Sequence, residues 1–210
     1  MVEASLTSKV LSPSHLVHVV LRTAKFKPMV EFYKSLLGAH VVVQTQNLAF
    51  LTYDDEHHRI AIMAIPGCGD KIRSSAGLDH TAFSFDSLND LATTYLQRKA
   101  RGILPVWCVN HGPTTSMYYQ DPDGNVIEMQ VDSFETAEEA TEFMLSPEFA
   151  ENPFGVDFDP EDLVKRLESG ESEAEIKKRP KIGPRDMESV PLLHMPPPVV
   201  KDSYEPIEAH

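Results

Sequence analysis

The fold is decided by the stretch HLVHVVLRTAKFKPMVEFYKSLLGAHVVV (residues 15–43), whose plan is repeated in GLDHTAFSFDSLNDLATTYLQRKARGILPV (residues 77–106). Each stretch is typical of a strand that carries a histidine, a polar turn, an amphipathic helix and a further strand. His18 in the first stretch and His80 in the second occupy equivalent positions. An internal repeat of this kind indicates two copies of one supersecondary unit.

Each unit then continues with two more strand-like runs. These runs are NLAFLTY and HRIAIMAI in the first unit, and TTSMYYQD and NVIEMQV in the second, where the turn signal DPDG joins them. The plan βαβββ therefore occurs twice, over about 15–66 and 77–131. Each unit alone is a sheet with one covered face. We predict an α+β fold in which the paired βαβββ modules form an open, barrel-like sheet around a shared metal cavity.

Strand alternation predicts which side chains enter that cavity, because successive residues of a strand point to opposite faces. In LVHVVLR the alternate apolar residues suit packing under the helix, so His18 lies on the opposite face. The same reasoning puts His80 of HTAFSF and Glu128 of NVIEMQV on the inner face. We therefore predict that His18, His80 and Glu128 converge and bind one divalent metal ion, with part of its coordination sphere left open.

Each of these residues also has an ordinary structural explanation. A single strand histidine is more often hydrogen-bonded than metal-bound, and a lone glutamate is more often in an ion pair. The inner faces, however, offer Glu128 no basic partner except Arg22 near a strand end. A buried carboxylate without a partner is costly, which favours a metal. Aligning HRIAIMAI on GNVIEMQV places Ile62 at the position equivalent to Glu128, so the fourth position has no ligand.

The charge of the chain is concentrated in one block. Residues 1–131 contain 11 Lys and Arg against 12 Asp and Glu, whereas residues 132–178 contain 4 against 15. The formal net charge is −13. Without a basic stripe, neither nucleic acid nor an anionic membrane surface is an expected partner. No apolar run approaches the ~20 residues of a membrane span, so we expect no membrane association.

Composition divides the chain into three parts. We predict a single domain at 1–133, an acidic and partly helical extension at 134–178, and a proline-rich tail at 179–210. In the extension, Asp159 and Pro160 suit the cap and first position of a helix. The tail favours extended segments that either wander or lie along a folded surface.

The cellular compartment is predicted from the N-terminal sequence and the cysteine content. The N-terminal residues show no apolar block of the signal-peptide kind. Cys68 and Cys108 are the only cysteines, so there is no disulfide framework. Both points favour a reducing, cytoplasmic location.

Over residues 11–133 the sequence resembles the vicinal-oxygen-chelate superfamily of paired βαβββ modules, through strings such as HVVLR, FYKSLLG and DPDGNVIE. Within it, the sequence is most similar to the type I extradiol dioxygenases, the group of catechol 2,3-dioxygenase and 2,3-dihydroxybiphenyl 1,2-dioxygenase. Glyoxalase-like members use four protein ligands, whereas the extradiol enzymes use two histidines and one glutamate. Ile62 at the fourth position favours the extradiol set, which is a facial triad suited to Fe(II). Mn(II) or another divalent ion remains an alternative.

The resemblance also implies three catalytic residues. His58 in HRIAI matches a proton-transferring histidine, His111 in NHGP matches a histidine that holds the substrate, and Tyr118 matches a tyrosine ten residues before the metal-binding glutamate. Strand parity puts His58 on the same face as Ile60 and Ile62, which we expect to be the cavity face. The implied reaction inserts O₂ next to the diol of a catechol-type aromatic.

Two other functions stay open at this stage: a glyoxalase- or epimerase-like metalloenzyme that does not use O₂, and a metal-free binding module of the bleomycin-resistance type. The expected partners are a small aromatic diol and O₂. The family's two-module members close the cavity with neighbouring segments. Here the extension and tail, or a second subunit in a homodimer, would have to do so. The spacing of residues does not select the ring substituents of the substrate.

Overall fold

The computed structural model describes residues 9–201 and 203–204. The expectations about the extreme N-terminus and the last residues of the tail lie outside the described residues. The first half contains β1 (Val19–Thr23), α1 (Phe26–Leu37), β2 (His40–Gln44), β3 (Leu48–Thr52) and β4 (Ile60–Ala64). The second half contains β5 (His80–Ser84), α2 (Leu88–Ala100), β6 (Trp107–Asn110), β7 (Thr114–Gln120) and β8 (Val126–Asp132). The predicted plan βαβββ, repeated twice, is confirmed.

The two halves form two separate mixed sheets. The first has the strand order β1-β4-β3-β2, and the second has the order β5-β8-β7-β6 with one further strand at its edge. In both, the first strand pairs in parallel with the last strand of its unit, and the other neighbours are antiparallel. The α+β class is thus confirmed, although the strands do not close into one barrel.

Both helices begin and end where their sequences favour it. The hydroxyl of Ser87 caps α2 by accepting from the amide of Asp90 at 3.0 Å. Gly38 ends α1 with φ +63°, a left-handed conformation that costs glycine little. The guanidinium of Arg98 in α2 donates to the carbonyl of Leu36 at the end of α1, with Nε 2.8 Å from the oxygen. This buried contact joins the two helices directly.

One hydrophobic core serves both sheets. It contains Met29, Tyr33 and Leu36 of α1 together with buried residues of α2 and of both sheets. Ile62 of the first sheet and Ile127 of the second belong to the same cluster. Because the strands alternate, the opposite face of each sheet turns away from this common core. The two faces that carry the predicted ligands therefore both turn away from the common core.

The extension packs on the second half. It contains α3 (Ala137–Met144), α4 (Pro147–Glu151), β9 (Val156–Asp157), α5 (Pro160–Glu168) and α6 (Glu173–Ile176), and the tail after it contains two short 3₁₀ turns (Met187–Ser189 and Pro191–His194). The helix predicted at Asp159–Pro160 is confirmed as α5, with Asp159 accepting from the amide of Glu161. β9 pairs with β6 and so widens the second sheet.

The proline-rich segment lies along the outer face of the second sheet, where Val190 and Leu192 are buried. The predicted boundary at 133 falls directly after β8, but the division into one domain, an extension and a tail stays a prediction. Among the described residues, no helix is long and apolar enough to cross a bilayer.

Candidate metal centre

A buried carboxylate and an imidazole meet on the outer face of the second sheet. Glu128 lies in the middle of β8 and is only 5% exposed. Its Oε2 lies 3.2 Å from Nε2 of His80, at the start of the adjacent strand β5. Two donor atoms that share one metal ion at about 2.1 Å each are separated by roughly this distance. The pair therefore fits two ligands of one ion.

The other nitrogen of His80 is fixed by a second carboxylate. Nδ1 lies 2.8 Å from Oδ2 of Asp79, which directs Nε2 toward Glu128. A metal-bound histidine characteristically has such a partner on its second nitrogen. The hydrogen bond to Glu128 raises the pKa of His80 to about 9, against the opposing effect of burial. A protonated imidazole thus supplies beside Glu128 the positive charge that a metal ion would otherwise provide.

The second oxygen of Glu128 belongs to a hydrogen-bonded chain. The hydroxyl of Tyr118 donates to Oε1 at 2.9 Å, and Nε2 of His111 lies 3.0 Å from that hydroxyl oxygen. Because Tyr118 and Glu128 are directly paired across β7 and β8, the sheet register fixes this contact. The chain runs from His111 through Tyr118 to Oε1 of the carboxylate, while Oε2 has the imidazole of His80 as its separate neighbour.

The pKa values reflect this burial. Burial acts to raise the pKa of Glu128, but hydrogen bonds from His80, Ser116 and Tyr118 outweigh it and hold the carboxyl below its ordinary value. Burial and the neighbouring Glu128 raise the pKa of the Tyr118 hydroxyl. Burial lowers the pKa of His111. The site is therefore a carboxylate beside a protonated phenol.

The remaining predicted residues lie on the first sheet. The exposed imidazole of His18 stacks on that of His58, with ring centroids 4.3 Å apart and an interplanar angle of 29°. Burial and the neighbouring His18 and His57 lower the pKa of His58. The six predicted side chains thus form two groups, one of four on the second sheet and one of two on the first.

The predicted convergence of all three ligands does not occur within one chain. Among the residues that the structure describes, no group of three His, Cys, Asp or Glu side chains is arranged to hold a metal ion. His80 and Glu128 lie together, whereas His18 lies on the outward face of the other sheet. The physical reason is the common core, which separates the two outward faces.

The position equivalent to Glu128 is Ala61, and the alignment that placed Ile62 there is wrong. In the second sheet Ala82 pairs with Glu128, and in the first sheet the equivalent Val20 pairs with Ala61. Ile62 instead lies in the core, fully buried. Ile60 also faces the core, so the parity argument that put His58 on the face of Ile60 and Ile62 fails as well. His58 nevertheless reaches His18, because it precedes β4 and does not follow the strand alternation. Alanine cannot bind a metal either, so the fourth position remains without a ligand.

Sequence reasoning missed Trp107 and Asp157. The ring of Trp107 stacks on that of Tyr118, with centroids 5.0 Å apart, and its Nε1 donates to Oδ1 of Asp157 at 2.7 Å. The alternation of β6 could have placed Trp107 on the outward face. Nothing local indicates that Asp157, 50 residues further along, would pair with it.

Comparisons with known proteins agree with this architecture. The family model of the Glyoxalase/Bleomycin resistance protein/Dioxygenase superfamily matches residues 15–129. Biphenyl-2,3-diol 1,2-dioxygenase 2 of Rhodococcus globerulus is 46% identical over 154 residues, which cover 73% of this chain and 81% of the relative. Biphenyl-2,3-diol 1,2-dioxygenase 3 of the same organism is 43% identical over 166 residues, covering 78% and 87%.

A solved structure shows the same fold. It is a glyoxylase/bleomycin resistance protein/dioxygenase domain from Frankia sp. EAN1pec, with a TM-score of 0.52 at 18% identity, and the match covers 61% of this chain and 98% of that one. The repeated βαβββ plan, the family match and the two Rhodococcus relatives agree. The chain therefore belongs to the glyoxalase/bleomycin resistance protein/dioxygenase superfamily.

Proposed function

We propose that this protein is an extradiol dioxygenase that opens the ring of a catechol-type aromatic by inserting O₂ next to its two hydroxyl groups. The observation that carries the proposal is the cluster of His80, Glu128, Tyr118 and His111 on one face of the second sheet. It combines two ligand atoms with two proton-carrying groups. The similarity to two biphenyl-2,3-diol 1,2-dioxygenases supports it.

The proposal requires a divalent metal ion, with Fe(II) expected and Mn(II) the alternative. His80 and Glu128 would hold it, and His18 would be the third ligand. Two imidazoles and a carboxylate are the donor set of non-haem iron oxygenases. When bound, such an ion would lower the pKa of the hydroxyls of a diol held beside it. Ala61 at the fourth position leaves the coordination sphere open, which disfavours the glyoxalase-like alternative.

We propose that His18 comes from a second copy of the chain. The face that carries His18 exposes Val20 by 48% and Met63 by 36%, an apolar surface that suits a partner. In a two-fold dimer, this face of each copy would lie against the other copy's second sheet at the edge strand β5, where His80 is partly exposed and not fully covered by the proline-rich segment. Two equal sites would result, each with His80 and Glu128 from one copy and His18 from the other.

The catalytic roles proposed for the chain's own side chains follow from their neighbours. The Tyr118 hydroxyl lies beside Glu128 and is placed to hydrogen-bond an oxygen of the diol. His111 contacts that hydroxyl and is placed to hold or accept the diol proton. His58, which stacks on His18, would arrive with it from the second copy and accept and return a proton during the reaction. A cytoplasmic location also belongs to this proposal, since Cys68 and Cys108 are both free thiols.

The proposal is tested by reconstituting the protein with Fe(II) without oxygen and then adding air and a diol. The first substrates are 2,3-dihydroxybiphenyl and catechol, and the matched control is hydroquinone, whose hydroxyls are not adjacent. We expect bound iron and a yellow ring-opened product from the adjacent diols alone. Iron binding without any product from a panel of adjacent diols would contradict the proposed activity.

A further inference from the structure

The indole of Trp107 forms one wall of the Tyr118–His111 pair. It stacks on the Tyr118 ring at an interplanar angle of 23°. It also meets the His111 ring edge to face, with centroids 5.4 Å apart. Because Trp107 is 7% exposed and touches both rings, its orientation sets the positions of the phenol and the imidazole.

The extension and the tail together hold this indole. Asp157 of β9 accepts the Nε1–H of Trp107 at 2.7 Å. Arg185 binds the same carboxylate with both terminal nitrogens, at 2.6 Å to Oδ1 and 3.0 Å to Oδ2. It also donates to the carbonyls of Gly155 and Ser189. A two-pronged contact of this kind fixes the plane and rotation of a carboxylate.

A second arginine of the tail, Arg179, holds the backbone at His111. Nη1 of Arg179 donates to the carbonyl of His111 at 3.0 Å and to that of Asn152 at 2.7 Å. Val190 and Leu192 complete the support by packing in the same cluster as Trp107 and Tyr118. The extension and the tail therefore fix the backbone at His111 and the neighbouring indole by independent contacts.

We propose that Arg185 is a positioning residue for the diol reaction, which acts through Asp157 and Trp107 on Tyr118 and His111. This inference rests on the proposed function. Arg185 contacts neither ring of the pair by a hydrogen bond, and its guanidinium carbon lies 5.7 Å from the centroid of the Trp107 ring, so its structural effect reaches the pair through the indole. After burial, which is the largest influence, its positive charge is also one of the smaller influences that lower the pKa of His111. Reacting groups must be held closely, since a misplacement of about 1 Å reduces turnover on the order of a hundredfold.

Fluorescence provides a readout that does not depend on activity. Trp107 is the only tryptophan in the chain, so its emission reports this one position. In Arg185→Met we expect emission at longer wavelength and stronger quenching by acrylamide, because the carboxylate of Asp157, which accepts from the indole, is no longer held by Arg185. The matched control is Arg166→Met, which removes an equally two-pronged contact to Glu171 elsewhere in the extension. It should leave the emission unchanged.

The same variants are compared in steady-state kinetics with the iron-loaded protein. For Arg185→Met we expect kcat to fall about tenfold or more and KM for the diol to change less than about threefold, with iron content unchanged. Arg185→Lys keeps the positive charge but not the two-pronged contact with Asp157, so it should recover only part of kcat. If Arg185→Met does not fold, Asp157→Asn tests the same link, because its amide oxygen still accepts from the indole while its contact with Arg185 is weakened.

Two results would overturn the inference. One is unchanged Trp107 emission in both Arg185→Met and Asp157→Asn. The other is an emission shift accompanied by wild-type kcat. If the unaltered protein turns over no diol, the proposed function fails and the inference falls with it. If the unaltered protein is active and Arg185→Met matches it, only the inference fails.

Discussion

The hydroxyl of Tyr118 donates to Oε1 of Glu128 at 2.9 Å, while Oε2 of the same carboxylate faces Nε2 of His80. The two oxygens of Glu128 thus have separate partners, one the hydroxyl of Tyr118 and the other the imidazole of His80, beside which we propose the metal ion. Mutations can therefore test the two contacts of Glu128 separately. Removing the hydroxyl should spare the metal position, whereas altering the carboxylate should destroy it.

Tyr118→Phe is expected to keep bound iron and lose most turnover. The substitution removes the proton that Glu128 accepts, but not the metal-facing oxygen. A positioned proton-carrying group contributes about a hundredfold or more to rate, so we expect a loss of kcat of that order, measured by product absorbance. The control is Tyr119→Phe, since Tyr119 is buried in the opposite core. Loss of iron from Tyr118→Phe would argue against the assigned division of roles.

Glu128→Gln is expected to abolish iron retention. An amide brings no negative charge to the ion, and its nitrogen cannot act as a ligand. Iron content after gel filtration without oxygen should fall to background. Gln130→Ala is the matched control, because Gln130 is the next residue along β8 on the same outward face. Full iron occupancy in Glu128→Gln would refute the assignment of Glu128 as a ligand.

Mixing two inactive variants tests whether His18 comes from a second copy. His18→Ala and Glu128→Gln each disable both sites of a two-fold dimer. After random exchange of subunits, half of the dimers are mixed, and each has one intact site, so about a quarter of wild-type activity should return. If all ligands came from one chain, the mixture would stay as inactive as its components.

The carboxylate of Glu173 is expected to make stability depend on pH. It accepts from the amides of Leu88 and Asn89 at the start of α2, at 3.0 and 3.2 Å. Burial acts to raise the pKa of Glu173, but these hydrogen bonds outweigh it and the pKa is lowered. A carboxyl whose pKa is lower in the folded state stabilises that state above its unfolded pKa, and the contribution is lost as the pH falls.

Glu173→Gln should therefore lower the free energy of unfolding by about 1 kcal/mol at pH 7. The difference should shrink as the pH falls below about 4. Urea unfolding at several pH values measures it. Glu175→Gln is the control, since Glu175 pairs with Lys178 at the surface. A difference between Glu173→Gln and wild type that stays constant down to pH 3 would contradict the assignment.

The repeated βαβββ plan and half of the site could be predicted from the sequence because both follow from local periodicity. Strand alternation is enough to put His80 and Glu128 on one face, and the sheet register then brings them together. The position of His18 depends on how the two sheets share a core, which no local pattern reports. The error at Ile62 has a similar origin. Counting along the chain put Ile62 on the outward face, but the register of β1 and β4 pairs the outward Val20 with Ala61.

The support of the site by the extension could not be predicted either. Asp157 and Arg185 are 28 residues apart and meet only because β9 joins the edge of the second sheet. An acidic and proline-rich composition predicts a solvated or extended chain. It does not indicate that an arginine will pack against an indole. Contacts of this kind arise from packing and not from propensity.

The measurement that tests the central claim most directly is the ratio of oxygen consumed to diol consumed by the iron-loaded protein. An oxygen electrode and the absorbance of the ring-opened product give both quantities in one experiment. The account predicts one O₂ for each diol, with no hydrogen peroxide released and no turnover in Glu128→Gln. Disappearance of the diol without uptake of oxygen, or oxygen uptake that ends in peroxide with the ring intact, would contradict it.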